Sequence, residues 1–272
     1  MAEFLTKRTN QKISQSTICR ILQKDGLTYK KITYHYSEQI PRLRDIKEST
    51  DFLKSLPSSN ILALDECAFR LNEAPRYGYY WKGMRANHGR PGKRGSRYTL
   101  LLCIQNVNGK GVIHWELIEK GANAQDLHDF IKGINLNCSP FGREWSNGEK
   151  YYLLLDNARI HHAVKSCRKL KLPTVREQLL AKNMTPVFLV PYTPQLNPVE
   201  LCFNIIRKFV EKHRPRTYEE LKEVITKIIS ILQEKDLTTF FKHCMDYDLI
   251  EKNYREKGST SRSKSGHELW IE

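Results

Sequence analysis

A chain of 272 residues that is 40% hydrophobic is long enough to bury at least one full core and to carry a smaller appendage. Its 45 lysines and arginines outweigh 30 aspartates and glutamates by a formal +15, which calls for a polyanionic partner. An anionic membrane fits that charge as well as nucleic acid does. However, no apolar run approaches the roughly 18 residues of a spanning segment, and Met1 to Asn10 lack a signal-peptide core, so a soluble intracellular protein is expected.

From Ser14 to Leu22 the spacing of Ile18, Ile21 and Leu22 behind Ser and Thr residues predicts a capped helix, ended by Gly26. A basic, aromatic stretch follows from Tyr29 to Tyr36, then Pro41 and a mixed helix from Leu43 to Leu56 that stops at Pro57. Asn60 to Leu64 is a short apolar strand closed by Asp65. Arg97 to Val107 and Lys110 to Ile118, joined through Asn108-Gly109, form a hairpin, with Tyr79 to Trp81 as a short partner strand before it. Asn123 to Ile134 has helical periodicity, and Tyr151 to Leu155 is a second buried strand ending in an acid, Asp156. Helices are expected over Arg159 to Lys171 and Val175 to Lys182, then a strand over Thr185 to Val190. The proline-rich loop Pro191 to Pro198 opens a helix near Val199, so Glu200 falls in its first turn. Thr217 to Leu232 is amphipathic, another helical stretch covers Leu237 to Ile250, and Glu256 to His267 is a polar tail.

This order gives an α/β fold, a mixed sheet with helices on its faces. The expected organisation is a partial helix-turn-helix over 1–40, a linker helix over 41–59, a catalytic domain over 60–250 and a polar tail over 251–272. The seven cysteines are scattered singly, with no Cys-x-x-Cys pair, as for reduced thiols in an intracellular protein.

Two buried strands each deliver an aspartate, and Glu200 can join them from a helix. Phosphodiester chemistry needs a nucleophilic oxygen and a stabilised leaving oxygen, which two divalent ions held by clustered carboxylates provide. Singly, each acid also fits an ordinary strand or helix end.

The surrounding residues discriminate. Pro191-Tyr192-Thr193-Pro194-Gln195-Leu196-Asn197-Pro198-Val199-Glu200 resembles the Pro-Tyr-Ser-Pro-x-Leu-Asn-Pro-Ile-Glu signature of mariner-superfamily transposases and their bacterial insertion-sequence relatives. Asp156-Asn157-Ala158 with His161 and His162 resembles that family's second block, and Asp65-Glu66-Cys67 with Tyr80-Trp81 and Gly83 its first. The resemblance implies a ribonuclease-H-like core with Asp65, Asp156 and Glu200 as the catalytic, metal-holding triad, two Mg2+ (or Mn2+) ions as cofactors, and double-stranded DNA, as element ends and target, for a partner. It further implies a homodimer, and residence in the nucleus of a eukaryote or the cytoplasm and nucleoid of a bacterium. Departures are mild at Cys67, Phe203 and Thr193. The interval from Asp156 to Glu200 is longer than usual, with the excess expected around Val175 to Lys182, away from the metals. The N-terminal segment resembles only the end of the second of the family's two helix-turn-helix units.

Around the triad, Asn157 is expected to orient a ligand water or phosphate, or to be a turn amide; His161 is expected to position DNA, or to be a surface imidazole. Asn197 supports the site from the signature loop. Arg85, Arg90, Lys93, Arg94 and Arg97 belong to a glycine-rich basic stretch suited to gripping phosphates. Ser16, Thr17, Arg20, Lys30 and Lys31 are the DNA-contact candidates of the N-terminal remnant. The competing function is a non-catalytic DNA-binding remnant or domesticated derivative; a ribonuclease-H-like enzyme acting on RNA fits the fold but not the proline-rich signature.

Overall fold

The computed structural model describes residues 10–12, 14–26, 42–71, 95–134 and 149–258, with side chains given to Lys252. Two compact units are present, Met1–Ser37 and Glu38–Glu272. In the first, helix α1 (Gln15–Lys24) starts where the Ser14 hydroxyl accepts from the Thr17 amide at 3.2 Å. Beyond its end, Gly26 takes φ +75°, a left-handed conformation that glycine adopts without steric cost. Ile18 is its buried residue, while Ser16, Thr17 and Arg20 are exposed.

In the second unit, helix α2 (Leu43–Ser55) buries Ile46, Thr50 and Leu53, one stripe at helical spacing. The segment read from sequence as a linker helix thus places its apolar face in the larger unit's core. Strands β1 (Ile61–Arg70), β2 (Arg97–Gln105), β3 (Val112–Glu119), β4 (Tyr151–Leu155) and β5 (Met184–Phe188) form one mixed sheet in the order β3-β2-β1-β4-β5. The pairs β1–β2 and β2–β3 are antiparallel; β1–β4 and β4–β5 are parallel. The hairpin turn follows the Asn-Gly signal, with Gly109 at φ +67°. Pro186 is tolerated because β5 lies at the sheet edge.

Helices cover both faces. Ile61, Ala63, Cys67 and Phe69 of β1 pack in one cluster with α6 (Pro198–His213), α7 (Tyr218–Gln233) and α8 (Thr238–Met245). Leu62 and Leu64 pack on the opposite face against α3 (Ala124–Gly133) and α5 (Val175–Ala181). Helix α3 opens on a capping box between Asn123 and Asp126. Among the described residues no helix is long and apolar enough to cross a membrane.

Four sequence expectations change. Strand β1 does not close at Asp65 but runs on to Arg70, because β2 stays paired with it as far as Arg70↔Arg97. The stretch from Arg159 is turns, and helix α4 occupies only Val164–Lys169. Leu237 to Ile250 is two helices, α8 and α9 (Tyr247–Gly258), broken at Asp246, whose carboxylate accepts the Leu249 amide at 3.1 Å as an N-cap does. Helix α9 therefore extends into the segment expected as a polar tail, while Tyr79 to Trp81 and 259–272 lie outside the described residues. The described cysteines Cys19, Cys67, Cys103, Cys167, Cys202 and Cys244 are free thiols.

Candidate active site

Pairing between β1 and β4 ends at Ala63↔Leu154, and the two strands part just before their acids. Asp65 lies on the α6 face of β1, Asp156 follows the last residue of β4, and Glu200 stands in the first turn of α6. These carboxylates line one cavity of ≈ 390 Å³ together with Asn157, Tyr192 and Asn197.

Asp65 is buried with both oxygens engaged. Oδ1 accepts the Glu66 amide at 2.7 Å and Oδ2 accepts Nδ2 of Asn197 at 2.8 Å. Burial, then the negative charges of Glu66 and Asp156, push its carboxyl up to about 8, against the pull of the Glu66 amide. Asn197 is also the N-cap of α6, its Oδ1 accepting the Val199 amide at 3.2 Å, and Pro198 begins the helix with its ring-fixed φ. One buried amide therefore fixes Asp65 and the start of the helix that carries Glu200.

Asp156 is held differently. Its Oδ1 accepts the Ala158 amide at 2.8 Å and faces Nδ1 of His161 at 2.7 Å. His161 is buried, with Nε2 lying 3.4 Å from Oε2 of Glu66. The imidazole thus fills the fork where β1 and β4 separate, between one carboxylate from each. Burial opposes its charge, but the contacts to Asp156 and Glu66 outweigh it and raise the imidazolium to about 10. For Asp156, burial is likewise overcome by the hydrogen bonds from His161 and Ala158, so its carboxyl stays below the usual range. Glu200 is raised by burial, partly countered by Arg207, which also donates to Sγ of Cys67 at 2.8 Å.

Asn157, expected at a ligand or in a turn, lines the cavity while donating to the Leu189 carbonyl. His161 corrects both expectations made for it: a side chain 0% exposed cannot touch DNA and is no surface imidazole. His162 instead stacks on Phe188 with ring centroids 4.3 Å apart. Arg97 is exposed at the start of β2; Lys30, Lys31, Arg85, Arg90, Lys93 and Arg94 lie outside the described residues. Sequence reasoning missed Arg207 as a partner of the site, although it sits seven positions after Glu200, a spacing that returns to the same helix face.

As they stand, no three described His, Cys, Asp or Glu side chains are grouped to hold an ion, since Asp65 and Asp156 are turned to Asn197 and His161. The donor chemistry nevertheless fits a hard divalent cation: three carboxylates and two side-chain amides on one cavity, with negative charge left uncompensated around Asp65.

The sheet order, with one acid on β1, one just past β4 and one on a flanking helix, is that of a ribonuclease-H-like fold. The family model of the DDE superfamily endonuclease matches residues 60–222, more than half of the chain, and the chain belongs to that family. Its fold is that of the Mos1 mariner transposase. The paired-end complex with Mn superposes with TM-score 0.68 at 19% identity, over 97% of this chain and 75% of that one. The paired-end complex with Mg gives 0.68 at 20% over 98% and 75%, and the strand transfer complex 0.65 at 19% over 97% and 73%. No curated protein matches by sequence.

Proposed function

We propose that this chain is a mariner-type DNA transposase that cuts double-stranded DNA at the ends of a mobile segment and joins the freed ends to target DNA. The observation that carries this is the convergence of Asp65, Asp156 and Glu200 on one cavity in a member of the DDE superfamily endonucleases. The Mos1 neighbours are complexes of paired ends with Mn or Mg and of strand transfer, which supports the same substrates and ions here. Asp65, Asp156 and Glu200 would hold two divalent ions, Mg2+ or Mn2+. When bound, these ions acidify the attacking hydroxyl and stabilise the charge on the departing oxygen.

The chain's own groups set the geometry. Asn197 holds Asp65 and the entry of α6 together, so two of the three carboxylates keep a fixed separation. His161 fixes Asp156 while staying outside the cavity lining. In the cutting step, water oxygen bonds to phosphorus, the P–O3′ bond breaks, and the 3′ oxygen leaves with a proton. In the joining step, that 3′-hydroxyl bonds to a target phosphorus, and the target's own 3′ oxygen departs. Bond count is conserved, so no energy source beyond the phosphodiesters is needed. The excess of basic residues supplies the phosphate grip, with Ser16, Thr17 and Arg20 exposed on α1 as candidate contacts in the smaller unit. A homodimer would bring two ends together.

The test is incubation of purified protein with a linear duplex carrying the element's ends, in Mg2+, Mn2+ or EDTA. Cleavage and joined products that appear only with metal are expected. Firm DNA binding without cleavage in either metal would instead establish a non-catalytic remnant.

A further inference from the structure

The loop between β5 and α6 holds a residue that the carboxylate chemistry does not require. Tyr192 takes φ +62°, a left-handed conformation that is an outlier for a bulky side chain and is held at a cost in backbone strain. Glycine would adopt it without that cost. The conformation is imposed from both sides: Arg42 donates to the Pro191 carbonyl at 3.3 Å, and buried Thr193 donates its hydroxyl to the Val190 carbonyl. Tyr192 is 56% exposed on the wall of the cavity that holds the acids. The Arg42 guanidinium stands 5.6 Å from its centroid.

A flat apolar ring and a planar cation beside a site for a phosphate are the parts of a nucleotide-binding platform. Aromatic faces stack nucleobases irrespective of sequence, and arginine adds a cation–π and phosphate contact. A base inside a duplex already has both faces covered by its neighbours, whereas an unpaired base has a face to lay on the ring. We propose that Tyr192 and Arg42 form a stacking site for an unpaired nucleobase next to the phosphate at the carboxylates. The proposal rests on the transposase reading above. It assigns to this loop the holding of a frayed or displaced nucleotide during reaction.

The probe is a duplex with a short unpaired overhang bearing 2-aminopurine, bound in EDTA, with a dye on the far end reporting binding separately. Wild type and Tyr192→Phe should quench the 2-aminopurine. Tyr192→Gly should lose the quench and bind the overhang duplex roughly 5- to 150-fold more weakly, the equivalent of one base–aromatic stack. Its affinity for a fully paired duplex should be unchanged, and its Tm should be at or above that of wild type because the backbone strain is gone. Arg42→Ala should weaken overhang binding in the same direction. An undiminished quench in Tyr192→Gly overturns the proposal alone. So does a lowered Tm with equal loss on both duplexes, which would make the ring a structural prop. Failure of wild type to bind either duplex overturns the transposase reading, and this site with it.

Discussion

Asp65 and Asp156 stand on neighbouring strands and are held by opposite means. Asp65 is buried and gripped by neutral donors, the Glu66 amide and the Asn197 side chain, and its carboxyl is pushed up to about 8. The Asp156 side chain is 44% exposed and gripped by a cationic imidazole, which holds its carboxyl down. Neutral donors ease the ionisation of a buried acid, but at Asp65 they do not match its burial and its like-charged neighbours, whereas at Asp156 an added cation tips the balance. One end of the fork therefore resists negative charge until a cation arrives, and the other is ionised in advance. The ion pair serves Asp156, and hydrogen bonding alone serves Asp65.

The sharpest break in this contrast is chemical. Asp65→Asn, Asp156→Asn and Glu200→Gln should each lower DNA cleavage by roughly a thousandfold or more, as removal of a principal electrostatic group does, with DNA affinity in EDTA nearly unchanged. Gel assay of cleaved ends measures the first and anisotropy the second. Wild-type turnover in any one variant removes that acid from the site.

The next effect separates the two modes of holding. His161→Ala leaves Glu66 and Asp156 facing a void and should cost about 2–3 kcal/mol, less than for a fully buried pair because Asp156 is partly solvated. Pairing His161→Phe with Glu66→Gln should recover part of that loss in urea unfolding. If the double variant were no better than His161→Phe alone, the two side chains would not be coupled.

The pH dependence follows with a definite sign. The folded protein keeps a proton on Asp65 between its ordinary 3.8 and about 8, and on His161 between 6.5 and about 10. In both windows the folded state binds more protons than the unfolded one, so stability falls as pH rises. The His161 contribution is complete below 6.5 and gone above about 10; the Asp65 proton ceases to favour the folded state above about 8. Metal-free Tm should decline across pH 4 to 10, and saturating Mg2+ should flatten the Asp65 part by ionising it in the folded state. A metal-free Tm that climbs through this range contradicts both assignments.

The smallest effect concerns Asn197. Asn197→Ala removes a helix cap and the donor to buried Asp65 and should cost about 2 kcal/mol. Asn197→Asp keeps a capping oxygen but sets a charge against Asp65, so it should restore stability better than activity. Thermal melts and cleavage rates on the same preparations test this split.

What the sequence disclosed about this site was local. Apolar runs gave β1 and β4, Asn-Gly gave the hairpin, and the prolines around Asn197 gave the start of α6 and with it the place of Glu200. The extent of β1 was hidden because an acid in an apolar run looks like its end, whereas the partner strand β2 carries the pairing on to Arg70. The burial of His161 depends on Glu66, a residue distant in sequence, and no periodicity encodes that contact. The break at Asp246 was legible: an aspartate that caps the next helix was passed over within an apolar periodic stretch. Helix α5 forms where a helix was expected between the second and third acids, but it is no appendage. Val175 and Leu179 are buried in the core, and Lys182 donates to the Ile134 carbonyl at 2.6 Å, closing the end of α3.

The strand order also sets a timetable. Strands β1, β2 and β3 are successive antiparallel neighbours, and this part of the sheet needs only the closure of the loops between them. β4 must find β1 by a parallel pairing whose ends lie far apart in the chain, a slow kind of step because loop-closure entropy is spent before any contact repays it. Helix α6, which packs on β1 and β2, brings Glu200 from still further along the chain. On the proposed function, a growing or half-folded chain would expose a sheet with one aspartate and no partner acid, and any capacity to cut DNA would arrive only with the completed fold.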